Sequence, residues 1–336
     1  MNILVTGGLG FIGSALIRSL LDDRNNQILN IDKCSYASMP EALEGKEVLP
    51  NYSFKKVDII EAEKLNSIVK TFAPDKIFHL AAESHVDRSI AGPQEFLNTN
   101  ILGTFNILES IRRNIPNLPK DFILIHVSTD EVFGSLKFDD SLFSESSPYA
   151  PNSPYSASKA SSDLLVRAWN KTYGIKTAIT NCSNNYGPWQ NPEKLIPKTI
   201  FNALSKQPIP IYGKGINIRD WLHVSDHVNA LVKISNTEEH YSKFNIGGNQ
   251  EMANIDLVHI ICRHLDEKIP MAKKYSDLIT FVEDRLGHDL RYAIDASKLR
   301  EDLGFEPEYF LENGIKETVD WYVDNFDWVK SKVNLK

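Results

Sequence analysis

The chain predicts an α/β protein: a doubly wound parallel sheet followed by a smaller C-terminal α/β substrate domain. Three observations predict it. Short aliphatic runs alternate with amphipathic helical stretches through residues 1–185. The first run empties into a glycine-rich turn that opens a helix. The second run ends on an acid 19 residues beyond the last of those glycines, Asp32 after Gly13.

Residues 3–5 (Ile-Leu-Val) read as a buried strand, and residues 14–21 as an amphipathic helix. Between them lies Thr6-Gly7-Gly8-Leu9-Gly10-Phe11-Ile12-Gly13. Glycines at 7, 10 and 13 let a strand turn sharply, bring backbone close to a pyrophosphate and aim helix N–H groups at the anion. An ordinary tight turn is the alternative; the flanking strand and helix favour the phosphate cradle of a Rossmann fold. The second strand, 27–31, ends at Asp32, placed to accept a ribose 2′-hydroxyl. A carboxylate there repels a 2′-phosphate, which favours NAD over NADP, although Lys33 next door weakens that repulsion. A solvated turn acid is the alternative.

Residues 33–50 form a long loop, and 52–57 a third strand followed by Asp58-Ile59, where either an adenine contact or a plain turn is expected. A helix over 61–72 leads to a fourth strand over 76–80. The small residues Ala81-Ala82, ahead of Glu83-Ser84-His85, permit close approach of a flat ligand. His85 is expected to be hydrogen-bonded within its loop rather than catalytic. One long helix is expected over 95–112.

The fifth strand, 122–127, is nearly all apolar and is followed at once by Ser128-Thr129-Asp130-Glu131. Ligands of open parallel sheets bind outside the carboxyl ends of strands, so a hydroxyl and two carboxylates stand where a substrate sits. Paired carboxylates can divide acid and base work if their environments push their pKa values apart. The alternative is a turn cap beside a solvated acid. A loop over 134–154 then delivers Tyr155-Ser156-Ala157-Ser158-Lys159 at the head of a helix running to 173. Tyr155 and Lys159, at i and i+4, share a face. A phenol of pKa ~10 must fall by about 3 units to act as a base near neutrality, and a nearby ammonium with a nicotinamide cation is a source of that fall.

A sixth strand is expected over 176–181, after which the alternation breaks down. Asn184-Asn185-Tyr186-Gly187-Pro188 reads as a turn, and residues 218–224 as a strand. Residues 1–185 are therefore expected to form the NAD-binding domain and 186–336 a sugar-nucleotide-binding domain interleaved with it. Arg219 and Arg285 could clamp a diphosphate or serve surface ion pairs. Trp321, Tyr322, Phe326 and Trp328 are expected to be packing residues.

Composition narrows the function. The 336 residues are 42% hydrophobic and 24% charged, with a net charge of −7, so neither a nucleic acid nor an anionic membrane surface is an expected partner. Three scattered cysteines, Cys34, Cys182 and Cys262, suit reduced thiols rather than a disulfide frame or zinc site, and no metal is expected. Met1 leads directly into the first strand without the pattern of a secretory signal, so a cytoplasmic location is expected.

Together these residues resemble the extended short-chain dehydrogenase/reductase family and, closely, its nucleotide-sugar 4,6-dehydratases. The resemblance runs from Asn2 to about Trp328. It is carried by the glycine turn, Leu80 to Arg88, Ser128 to Val132, Tyr155 to Lys159, Asn181 to Pro188, Pro192 to Pro197, Arg219-Asp220-Trp221, the Asp284 to His288 stretch and Tyr292 to Ala296. Glycine turn and Y-x-x-x-K are common to the superfamily; Thr-Asp-Glu is more diagnostic, because 4-epimerases of the same fold lack the acid pair. The resemblance implies NAD contacts at Gly7, Gly10, Phe11, Ile12, Gly13, Asp32, Lys33, Cys34, Ser35, Asp58, Ile59, Leu80, Ala81, Ala82, Glu83, Ser84, Thr99, Tyr155, Lys159 and Asn185. It implies sugar-nucleotide contacts at Ser84, Thr129, Asn184, Lys194, Leu195, Pro210, Ile211, Tyr212, Arg219, Asn254, Asp284, Arg285, Leu286, Gly287 and His288. Leu286 stands where the family usually has proline, Cys34 where it often has an aliphatic residue, and His223 where an aromatic residue is common.

The implied activity is conversion of dTDP-glucose to dTDP-4-keto-6-deoxyglucose and water, with UDP- or CDP-sugar dehydration, 4-epimerisation and a non-catalytic NAD-binding regulator as alternatives. Thr129, Asp130, Glu131, Tyr155 and Lys159 carry the implied chemistry, and a homodimer through the helices near 95–112 and 156–173 is implied as well.

Overall fold

A computed structural model describes residues 1–334. Its principal sheet has seven parallel strands in the order 241–246, 177–182, 123–129, 76–79, 2–6, 27–32, 52–56. In chain order we label Asn2–Thr6 β1, Gln27–Asp32 β2, Tyr52–Lys56 β3, Lys76–His79 β4, Ile123–Thr129 β5, Thr177–Cys182 β6, Asn184–Tyr186 β7, Ile209–Tyr212 β8, Ile218–His223 β9, Tyr241–Ile246 β10, Glu251–Ala253 β11 and Ile279–Val282 β12. The helices are Phe11–Leu20 α1, Ala62–Phe72 α2, Val86–Ala91 α3, Pro93–Phe96 α4, Thr104–Asn114 α5, Pro154–Tyr173 α6, Leu195–Leu204 α7, Val224–Ile234 α8, Asn254–Lys268 α9, Ser297–Leu303 α10, Leu311–Asp324 α11 and Phe326–Asn334 α12.

Strand alternation divides the core. Ile3, Val5, Ile123 and Ile125 pack with Leu16, Ile17 and Leu231, from α1 and α8, on one face. Leu4, Leu29, Leu124 and Ile179 pack with Leu65, Ile107 and Val166, from α2, α5 and α6, on the other. Because both faces are covered, these strands read as continuous apolar runs. A separate core gathers α7, α9 and α11 around Tyr186, Trp221 and Tyr322; Trp321, Phe326 and Trp328 pack against it, the packing role expected of the terminal aromatics.

Two local expectations are corrected. The helix expected over 95–112 is interrupted: α4 gives way to a π-helical stretch, Leu97–Gly103, before α5. A π stretch widens the helix by one residue per turn. Here it lets the Asn100 amide bridge the Glu83 carbonyl at 3.0 Å and the Ser158 hydroxyl at 2.8 Å, tying the β4 loop to α6. Gly103 sits where a Cβ would meet Ile59 Cδ1 at 2.4 Å. Residues 184–186, expected as a turn, are the strand β7, parallel to β9. Its partner lies more than thirty residues away, so local pattern does not announce it. The chain also returns late to the main sheet: β10 lies parallel to β6 at the sheet edge.

Candidate active site

The main sheet reverses its winding between β1 and β4, and a cleft opens at the carboxyl ends of the strands there, as such sheets dictate. At one end is the glycine turn. Gly7 has φ +72°, and a Cβ on it would meet the Ala81 backbone at 2.6 Å; a Cβ on Gly13 would meet the Gly7 carbonyl oxygen at 2.2 Å. Helix α1 begins with no side-chain cap and no acid in its first turn, so its N–H groups remain available to an anion. Asp32, at the end of β2, accepts from the Leu9 N–H at 3.0 Å and the Cys34 N–H at 2.8 Å, which fixes the carboxylate beside the turn. A cradle that excludes side chains, an uncapped helix start and a held carboxylate fit NAD.

Along the cleft the structure brings together Gly7, Gly10, Phe11, Ile12 and Gly13 with Asp32, Lys33, Ser35, Asp58 and Ile59. Leu80, Ala81, Ala82, Ser84, Thr99, Asn185 and Lys194 continue the wall to Thr129, Glu131, Tyr155 and Lys159. Cys34 is exposed. Glu83 lines the adjoining mouth, where Lys33 Nζ lies 2.8 Å from it and 2.8 Å from Glu95. His85 caps α3, accepting from the Arg88 N–H at 3.4 Å, which is the loop role expected of it.

The reactive corner is built by β5 and α6. Asn181 of β6 donates to the Thr129 carbonyl at 3.0 Å and holds the strand straight to its end. A single 3₁₀ turn, Asp130–Phe133, follows; the Thr129 hydroxyl caps it, accepting from the Glu131 N–H at 3.3 Å. Opposite, Ser153 and Ser156 form a capping box and Pro154 occupies the first turn, which fixes where α6 begins and so where Tyr155 and Lys159 stand.

The two carboxyls differ. Asp130 is 2% exposed, and its Oδ1 accepts from the Thr129 hydroxyl at 3.3 Å while its Oδ2 has no partner. Burial first, then the neighbouring Glu131 and Asp220 charges, push its pKa well above the ordinary carboxylate value. Glu131 is half-buried on the cleft wall. Burial raises it too, but Arg219, Lys194 and Arg285 pull the other way. Asp130 therefore holds a proton more firmly than Glu131.

The expected depression of Tyr155 involves a nicotinamide cation as well as the ammonium, and the protein alone does not produce it. Burial and then the Glu131 charge raise its phenol well above the ordinary value, against the bond from Thr129. Lys159 Nζ donates to the Val127 carbonyl at 2.9 Å, so one of its three N–H donors is directed at backbone.

The remaining predicted residues lie in the second half. Arg219 is buried; its guanidinium donates to the Ile218 carbonyl at 2.7 Å and the Asp289 carbonyl at 3.0 Å and covers the Tyr292 ring at 4.3 Å. Arg285 stands over the Tyr212 ring at 5.1 Å and lies 3.6 Å from Asp87, while Tyr212 donates to Asp87 at 3.4 Å. Asp284 and His288 are 2.6 Å apart. Gly287 has φ +63°, and Leu286, 78% exposed, projects outward. Pro210, Ile211 and Tyr212 lie on β8 and Leu195 opens α7. Asn184 Oδ1, Asn254 Oδ1, Arg285 Nε and His288 Nε2 are buried without partners, as polar atoms that await a ligand would be.

Gln190, Asn191 and Glu193 also line the cleft and were not singled out from sequence; their position after the Gly187-Pro188 turn was the available signal. Among the described residues, no group of three or more His, Cys, Asp or Glu side chains is placed to hold a metal, and no helix is long and apolar enough to cross a membrane.

Against known proteins, a family model described as GDP-mannose 4,6 dehydratase matches residues 4–318. A dTDP-glucose 4,6-dehydratase from Neisseria meningitidis is 51% identical over 99% of this chain and 96% of its own. The structure resembles a dTDP-glucose 4,6-dehydratase from Streptomyces venezuelae solved with NAD bound, at TM-score 0.91 and 39% identity, covering 99% of this chain and 100% of that one. It also resembles a UDP-glucose 4-epimerase from Thermotoga maritima solved with UDP-glucose, at TM-score 0.85 and 27% identity over 97% of this chain and 100% of that one.

Proposed function

The chain belongs to the family described as GDP-mannose 4,6 dehydratase and, within it, to the dTDP-glucose 4,6-dehydratases, and from that membership we infer that its cleft converts dTDP-glucose to dTDP-4-keto-6-deoxyglucose and water. It is an NAD-dependent hydro-lyase. NAD, which the glycine turn and Asp32 would hold, would supply a cationic hydride acceptor for C4 and, once reduced, the hydride donor for C6.

The chain's own residues do the rest. Thr129 holds the C4 oxygen, and Tyr155 takes the proton from the C4 hydroxyl while Lys159 supports the phenolate. A ketone at C4 makes the C5 hydrogen acidic, because the resulting carbanion is stabilised as an enolate. Glu131, the less firmly protonated carboxyl, removes that hydrogen. Asp130, the more firmly protonated one, gives its proton to the departing C6 hydroxyl, which leaves as water. C5 is then reprotonated from the same corner. The observation that carries this reading is the unequal environment of the two adjacent carboxyls. A 4-epimerase needs the tyrosine and lysine but has no use for such a pair.

We assign the cofactor and sugar-nucleotide contacts to the residues named above, other than the outward-facing Leu286 side chain, with the diphosphate and base at the end formed by Arg219, Tyr212, Arg285 and His288. The partnerless buried atoms of Asn184, Asn254, Arg285 and His288 support that placement. Residues 1–185 supply most of the cofactor wall and residues 186–336 the nucleotide end. The exposed apolar side chains Leu102 and Phe105, near α5, and Leu164 and Tyr173, on α6, suit a homodimer with a second copy on this face. Three free cysteines suit the cytoplasm.

Turnover with dTDP-, UDP- and CDP-glucose, read by mass spectrometry, tests the function. Loss of one water from the dTDP sugar is expected; an isomer of unchanged mass indicates an epimerase, and no turnover with any of the three indicates a binding protein.

A further inference from the structure

Behind the reactive corner lies a buried ionic cluster that the chemistry above does not use. Asp163 follows Lys159 by one helical turn on the same face of α6, so Tyr155, Lys159 and Asp163 run at i, i+4 and i+8. Asp163 is 1% exposed. Its Oδ2 accepts from the Tyr149 hydroxyl at 2.8 Å and the Asn181 amide at 3.2 Å, and its Oδ1 lies 3.2 Å from His126 Nε2. Lys159 is 4% exposed and, among the described residues, has the Val127 carbonyl as its single hydrogen-bond partner; burial lowers its ammonium pKa against the Asp163 charge. A buried ammonium beside one neutral acceptor persists only if a counter-charge stands near it.

Among the described residues, the surrounding elements offer no other counter-charge at that place. β5 contributes His126 and β4 contributes His79, and burial together with Lys159 itself lowers both imidazoles, keeping them neutral. β6 contributes Cys182, whose thiol burial pushes up to about 12. The π stretch contributes only the neutral Asn100 amide, on Ser158. Asp130 and Glu131, from the 3₁₀ turn, act on Tyr155. Lys243 of β10 approaches from the far side, over the Tyr149 ring at 4.4 Å. Burial pushes the Asp163 carboxyl up, but the His126 contact and the Lys159 charge outweigh it and hold it below the ordinary value.

We propose that Asp163 is a positioning residue for proton transfer: its buried carboxylate keeps Lys159 charged, and through Lys159 it allows Tyr155 to ionise in the holoenzyme. The inference rests on the Tyr155–Lys159 role given above. Its sign is diagnostic. A carboxylate acting on Tyr155 directly hinders the phenolate, whereas one acting through Lys159 favours it, so removing the charge moves Tyr155 ionisation in opposite directions in the two cases.

The test is a tyrosinate difference titration of the NAD-loaded protein without substrate, taken against Tyr155→Phe, beside the pH dependence of reduced-nicotinamide formation on adding dTDP-glucose. Asp163→Asn is expected to raise both midpoints by about one pH unit. Asp163→Glu, which keeps the charge, is expected to leave them within a few tenths of the unmodified protein, and Asp163→Ser replaces the asparagine variant if that one does not fold. Tyr149→Phe removes a structural bond to Asp163 but not its charge and is expected to leave both midpoints in place. An unchanged or lowered midpoint in the uncharged variants overturns the proposal, as does a Tyr149→Phe shift equal to theirs. Failure of the underlying reading looks different: Tyr155→Phe would then still form reduced nicotinamide.

Discussion

Asp130 and Glu131 are consecutive in the chain, yet one is sealed behind the end of β5 and the other forms part of the cleft wall. The 3₁₀ turn makes this possible, because it rotates successive side chains by about a third of a circle. Arg219, Lys194 and Arg285 act on Glu131 against Asp289, while Asp130 has Glu131 and Asp220 raising it and Arg219 alone among the cations lowering it. The proposed dehydration needs a carboxylic acid and a carboxylate at the same moment, and this difference in environment favours that division.

Asp130 should cost the fold stability in return. Its native pKa lies above the unfolded value of about 3.9. Below about pH 3 the group is protonated in both states and contributes nothing. As pH rises, the unfolded chain releases the proton while the native one retains it, so stability falls. Asp130→Asn is therefore expected to melt at a higher temperature than the unmodified protein near neutral pH, with the gain vanishing toward about pH 3. The same variant is expected to form reduced nicotinamide from dTDP-glucose but to dehydrate at least ~100-fold more slowly. Thermal melts across pH and product mass analysis read the two effects.

Tyr155→Phe removes the base proposed for the first step. Neither reduced nicotinamide nor dehydrated sugar is expected, with a rate loss of roughly 100-fold or more in both readouts. Stopped-flow absorbance on mixing with dTDP-glucose checks it. In the unmodified protein the high native pKa of the phenol also predicts that seating NAD lowers it, visible as tyrosinate appearing at lower pH in the loaded protein than in the cofactor-free one.

The sheet and its cleft were legible because they are written locally. The glycine turn, Asp32, the Thr129-Asp130-Glu131 run and the Tyr155–Lys159 pair each follow a strand or open a helix whose period is visible in the chain. β7 was not legible, since three residues pair with a strand far along the sequence. The π stretch was not legible either, because its helical pattern continues smoothly through Leu97 to Gly103; what distinguishes it is the Asn100 bridge to Glu83 and Ser158. Tyr155 shows a third limit. The i, i+4 spacing announces that a lysine shares its face, but not that the ammonium binds the Val127 carbonyl and that burial governs the phenol.

Leu164 is 57% exposed on the outer face of α6, within the apolar surface proposed to meet a second copy. Leu164→Glu places a charge on each side of such an interface and is expected to convert dimer to monomer, read by sedimentation or light scattering, without altering the secondary structure. A dimer that survives both this change and Phe105→Glu does not use this face.

The most direct test of the two-carboxyl account is Glu131→Gln mixed with dTDP-glucose, following reduced nicotinamide by absorbance and the sugar nucleotide by mass. The account predicts that reduced nicotinamide forms and accumulates while no dehydrated sugar appears. Dehydrated product at the unmodified rate would contradict it, because some other group would then be removing the C5 hydrogen.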